Sequence, residues 1–148
     1  MGNASLVSTS TDNSVSFDGV APTVTINQAA GQADPTNQSP VLFNVLFSEP
    51  VTGFTSSDVS LAGSTASGTL VAAVSGSGAS YTVAVSGMSG TGTVVAGLSA
   101  GAAADAVGNL SQASTSTDNT VTFDGVSPTV TIDQAFGLAA RLGLDPVV

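Results

Sequence analysis

The sequence holds no cysteine, histidine, lysine or tryptophan, and Arg141 is its only basic side chain. Each absence removes a class of chemistry. Without a thiol or an imidazole there is no cysteine nucleophile, no histidine base and no zinc or iron site built on such ligands. One cation cannot neutralise a row of phosphates, so nucleic acid is not a partner. No apolar run approaches the length of a bilayer span, so membrane insertion by a helix is not expected. Met1 is followed by Gly-Asn-Ala-Ser, with neither a charged segment nor an apolar one, so no signal peptide is visible. A lack of disulfides fits a cytosolic protein or a secreted one that folds without them. Aromatics are scarce at 5%, which denies any pair of carboxylates the stacking platform of a glycosidase cleft. The chain is therefore not read as an enzyme.

What the sequence does have is apolar surface and acid. Hydrophobic residues make up 42%, chiefly Val, Ala and Leu, and ten acidic residues give a net charge of -9. The apolar fraction is that of a folded domain rather than of a disordered tail.

Self-similarity sets the organisation. Residues 1–29 read MGNASLVSTSTDNSVSFDGVAPTVTINQA, and residues 107–135 read VGNLSQASTSTDNTVTFDGVSPTVTIDQA, so 21 of 29 positions are identical at a constant offset of 106. This is a tandem repeat. The punctuation FDGVAP (Phe17–Pro22) and FDGVSP (Phe123–Pro128) sets its phase, because Gly and Pro end one extended run and begin another. One complete domain is expected at residues 21–126. Residues 1–20 then form the closing strand of a preceding repeat, and residues 127–135 the opening strand of a following one. Residues 136–148 do not continue the repeat and read as a tail.

Within the domain, β-branched and polar residues alternate over short runs bounded by Gly, Ser, Asn and Asp. The expected strands are Thr23–Ile26, Val41–Ser48, Asp58–Ala62, Gly68–Ser75, Tyr81–Ser86, Thr91–Leu98 and Asn119–Asp124. Val41–Ser48 is apolar on both faces, which suits a central strand. Ala100–Ala106 has a helix-like composition but is short and flanked by glycines, so it is assigned to a loop. The expected core is Val24, Ile26, Phe43, Val45, Phe47, Val59, Leu61, Leu70, Tyr81, Val83, Val85, Val94, Leu98, Val121 and Phe123. Seven strands in about 105 residues, without a disulfide, predict an all-β, immunoglobulin-like β-sandwich.

Three strings in order, FSEPVTGFTSSDVSL (Phe47–Leu61), DAVGN (Asp105–Asn109) and VTFDGVSPTVTI (Val121–Ile132), resemble the bacterial Ig-like repeats of large secreted surface adhesins and biofilm-associated proteins. The resemblance implies a repeated sandwich on the bacterial cell surface, a role in cell adhesion and, in several members of the class, calcium near domain junctions.

The carboxylates are the only side chains with chemistry to offer. In such a sandwich the loop after the second strand and the loop before the last return to the end where the first strand starts. Glu49 and Asp58 lie on the former, Asp105 and Asn109 on the latter, and Asp18 on the incoming linker. Two carboxylates about 4 Å apart repel by roughly 4 kcal/mol at an effective dielectric near 20, so their convergence calls for a cation. Flexible all-oxygen ligation favours calcium. The plainer alternative is that Asp18 marks an Asp-Gly turn, that Asp105–Asn109 is a loop turn, and that Glu49 and Asp58 bind backbone N–H groups. Asp124, the copy of Asp18, should form an incomplete site at the other end, with Asp34 nearby. Asp12 and Asp118 should mark turns before the closing strand.

Two functions follow from the sequence. One is a structural spacer, a stalk repeat contacting neighbouring repeats and stiffened by calcium; the other is a module that binds a glycan or protein through its loops. Near-identical copies and few aromatics favour the spacer. Unpaired strands at both ends also raise strand sharing between copies as a route to self-association.

Overall fold

The computed structural model describes residues 1–133. The tail expected at residues 136–148, with Arg141, and the last two residues of the expected opening strand lie outside the described residues. The architecture is all-β, with one 3-10 turn at Ser56–Asp58 and no α-helix among the described residues. Seven strands form: β1 (Val24–Gln28), β2 (Val41–Val51), β3 (Val59–Ser60), β4 (Gly68–Met88), β5 (Gly92–Val95), β6 (Gly97–Leu98) and β7 (Thr120–Phe123). They assemble into a three-stranded sheet β1-β2-β4 and two antiparallel ribbons, β3-β6 and β5-β7.

β2 is the central strand of its sheet, with Ile26 of β1 opposite Val45 and Val83 of β4 opposite Phe43. Its side chains alternate, as period-two geometry requires. Val41, Phe43, Val45, Phe47 and Val51 are buried, whereas Leu46 is 55% exposed. The central place expected of Val41–Ser48 is the one it takes, although the face that carries Leu46 is left open.

β4 is numbered as one ladder but contains the two expected strands. It doubles back near Gly78 (φ 69°), and its arms approach so closely that only glycine fits. A β-carbon on Gly87 would strike the Thr69 carbonyl oxygen, and one on Gly76 would lie 2.5 Å from the Ser80 carbonyl oxygen.

The expected strand Thr91–Leu98 divides in two. β5 pairs with β7, and after Ala96 the chain changes partner so that β6 pairs with β3. Val94, Ala96 and Leu98 stay buried through the change. The inward alternation therefore continues while the hydrogen-bonded neighbour does not. The strand expected at Asp58–Ala62 shortens to β3, because Asp58 closes the 3-10 turn.

One core gathers residues of both layers: Val24, Ile26, Phe43, Val45, Val83, Val85, Val94, Leu98, Val121 and Phe123 are all buried in it. Val59, Leu61, Leu70 and Tyr81, expected inside, are partly buried at its margin. Val41, Val51, Phe54, Ala66, Ala96, Ala102 and Ala103 join it without having been expected. Phe47, Phe54 and Tyr81 form an edge-to-face trio with ring centroids 5.1–5.9 Å apart, and the Tyr81 hydroxyl donates to the Val51 carbonyl at 3.2 Å.

β1 also runs parallel to the segment before β7. Thr115 N–H donates to the Val24 carbonyl at 3.0 Å, Ile26 N–H to the Thr115 carbonyl at 3.1 Å, and Gln28 N–H to the Asp118 carbonyl at 2.6 Å. Outside the domain, residues 1–20 and 127–133 form no strand. Both segments are exposed throughout.

Candidate metal centre

The end of β2, a loop and the linker meet at one end of the sandwich, and backbone pairing holds them there; Glu49, expected on the loop, lies within β2, which runs on to Val51. Thr52, just beyond β2, exchanges hydrogen bonds with Ala104: Thr52 N–H to the Ala104 carbonyl at 2.8 Å, and Ala104 N–H to the Thr52 carbonyl at 3.0 Å. This bridge sets Glu49 beside Asp105. Ala104 is also bridged to Leu110, and Asp105 N–H donates to the Asn109 carbonyl at 3.1 Å, so Asp105–Asn109 forms the tip of a small hairpin. The Ala100–Ala106 segment is thus a loop with a local ladder, as its shortness and flanking glycines implied against its helix-like composition.

Asp105 is buried, at 5% exposure. Its Oδ1 accepts from the N–H groups of Val107 (2.9 Å), Gly108 (2.7 Å) and Asn109 (2.9 Å), and its Oδ2 from the Asn109 side-chain amide at 2.8 Å. Burial alone would raise its pKa, but the Asn109 amide and then the three backbone N–H groups outweigh it and hold the carboxyl below its ordinary value. The group is therefore an anion at neutral pH.

Asn109 ties the linker to the loop as well. Its amide reaches the carbonyls of Asp18 (3.2 Å) and Val20 (3.4 Å). Asp18 itself turns the chain, its Oδ1 accepting from Val20 N–H at 3.0 Å.

Asp18, Glu49 and Asp105 each offer one carboxylate oxygen, and these oxygens lie within 4.8 Å of one another. Asp18 is exposed, Glu49 half-buried and Asp105 buried. Two oxygens bonded to one calcium at about 2.4 Å can be no more than about 4.8 Å apart, so the group has the right dimension and donor chemistry for a hard divalent cation. No lysine, arginine or histidine is present among the described residues to neutralise it.

Of the five residues expected to converge, the structure unites three as carboxylates and brings Asn109 in as a hydrogen-bond donor. Asp58 stands apart. Its Oδ2 accepts from the Thr55 N–H at 2.7 Å and the Thr55 hydroxyl at 2.8 Å, closing the 3-10 turn. This is the plainer alternative for Asp58, a carboxylate that binds a backbone N–H group, and Thr55-Ser56-Ser57-Asp58 has the spacing of a helix start. The Thr52–Ala104 bridge and the buried Ser111, whose hydroxyl accepts from Ala103 N–H at 3.2 Å, are not legible in the sequence. Neither carries a carboxylate or a motif to announce it.

At the opposite end no comparable group forms among the described residues. Asp34 accepts from Thr122 N–H at 2.9 Å, and Asp124 from the Thr91 hydroxyl at 3.0 Å and Val126 N–H at 3.1 Å. Asp118 sits in the turn before β7, where its N–H donates to the Asn27 side-chain oxygen at 3.1 Å.

The sandwich, the linker and this end-loop arrangement define a repeat module of the immunoglobulin type. The model of the bacterial Ig-like domain family matches residues 18–123, and the chain belongs to that family. No curated protein and no solved structure gives a significant match. The matched span begins at Asp18 and is as long as the repeat offset, so the linker carboxylate falls inside the family unit. The family is one of non-catalytic structural domains.

Proposed function

We propose that the chain is a spacer repeat of a bacterial cell-surface adhesin, acting outside the cell, with calcium setting the stiffness of its junctions. The observation that carries this reading is the composition of the acidic group. Glu49 and Asp105 belong to the folded domain, whereas Asp18 belongs to the linker that precedes β1. Asp18, Glu49 and Asp105 would hold the ion, which would balance their like charges and fix the linker to the domain. Asn109 positions Asp105 and the linker carbonyls without competing for the cation. Repetition supports the same reading, since nearly identical copies serve a length-setting role better than a ligand-specific one.

The test is a melting curve with calcium and with a chelator. A ligand confined to the native state adds RT ln(1 + [L]/Kd), about 2.7 kcal/mol at a hundredfold excess over Kd. The midpoint should rise with calcium in the wild type and stay fixed in Asp18→Asn/Glu49→Gln. An unchanged wild-type midpoint would sink the calcium reading.

A further inference from the structure

The β7 slot has two claimants of nearly the same sequence. Ser8–Val20 repeats Ser114–Val126 with only two differences, Ser14 for Thr120 and Ser16 for Thr122. Thr120 and Thr122 are exposed, so the inward side chains of the two segments are identical. In the domain, Val121 and Phe123 are buried and β7 pairs with β5. Their copies are among the most exposed apolar side chains of the molecule, Val15 at 95% and Phe17 at 94%. The donors of its polar contacts recur in the sequence too. The Asn27 side-chain oxygen accepts from Ser116, Thr117 and Asp118, and Asn119 donates to the Ala96 carbonyl at 2.8 Å. The copies of these donors are Ser10, Thr11, Asp12 and Asn13.

We infer that the β7 slot accepts the Ser8–Phe17 segment of a second copy of this chain and refuses that of its own. The refusal is geometric. β1 and the 115–123 segment run parallel, so the slot ends at Phe123, beside Thr36, far from where β1 begins. Asp118 lies level with Gln28, the last residue of β1. From the start of β1 to Phe123 is therefore about 30 Å of extended chain. Thr23 is held in place through its carbonyl, which accepts from Ser48 N–H at 2.9 Å. The stretch from Phe17 to Thr23 reaches about 20 Å at most. A chain's own copy cannot bridge that gap, whereas a segment from another molecule is under no such tether.

The contacts being alike, β7 keeps its slot against a second molecule only through its covalent attachment, an advantage set by an effective concentration of about millimolar. Exchange therefore becomes visible when β7 is weakened. Such exchange joins chains in one of two ways, a closed pair where two copies donate to each other or an open string where each donates to the next.

The test uses the full chain carrying Val121→Asp, with Val15→Cys and Val94→Cys added. Val94 is the register partner of Val121, and the sequence has no other cysteine. The expected result is a folded, concentration-dependent oligomer in which oxidation links cysteines of different chains. An insert of about twelve Gly/Ser residues after Gly19 should convert that link to one within a chain and restore the monomer. As a second measurement, a peptide of residues 8–20 titrated into Val15→Asp/Val121→Asp should restore β-sheet signal saturably, and the same peptide with Phe17→Asp should not. An intrachain link without the insert, or failure of the peptide to restore structure, would overturn the inference.

Discussion

Asp105 is both buried and charged, a combination that the surrounding backbone makes tolerable. Three N–H groups converge on its Oδ1 and an amide on its Oδ2, so ionisation is favoured in the folded state. Its folded pKa lies below the unfolded value of about 3.9. The stabilisation is present above that value and disappears as pH falls through the lower, folded pKa. The wild type should therefore lose melting temperature as pH drops below about 4, and Asp105→Asn should show a flatter profile from a lower plateau, as read by thermal denaturation across pH. Residues such as Asp105, Glu49 and Asp18 are legible in the sequence because carboxylates are its only chemical resource and the segments that carry them return to one end. Asp58 is not separable from them on that ground. A hydrogen bond to Thr55, three residues away, captures it before any long-range partner can.

At the scale of the strands, alternation discloses which side chains point inward but not which neighbour supplies the ladder. Val94, Ala96 and Leu98 keep one inward rhythm across a change of partner, and so read as a single strand. Val41–Ser48 is read correctly as the central strand, and its apolar Leu46 nonetheless remains exposed. The alanines of the core, Ala96, Ala102 and Ala103, are hidden from pattern reading because alanine is at home on either side of a surface. The glycines of β4 are more informative once placed. Gly87 sits at φ 90° with the Thr69 carbonyl oxygen where a β-carbon would go. Gly87→Ala should cost about 2 kcal/mol or more, seen as an earlier midpoint in urea with little change in slope.

For the molecule as a whole, stability rests on a single core built from small side chains. A domain of this size has about 5–15 kcal/mol of net stability. Phe43 is the largest fully buried side chain, and Phe43→Ala should remove about 3–5 kcal/mol, enough to leave an appreciable unfolded fraction by circular dichroism at ambient temperature. The recurrence of residues 1–29 at 107–135 was plain from the sequence because it needs only self-comparison. The direction of one terminal strand relative to the other was not, since nothing local in Thr23–Gln28 or Ser114–Phe123 records it. That direction bears on more than topology. The chain enters at one end of the sandwich and leaves at the other, with β1 and the segment around Thr115 side by side and parallel. Tension applied along a string of such repeats would act across the bonds of Val24, Ile26 and Gln28 in shear, loading them together instead of peeling them apart one by one.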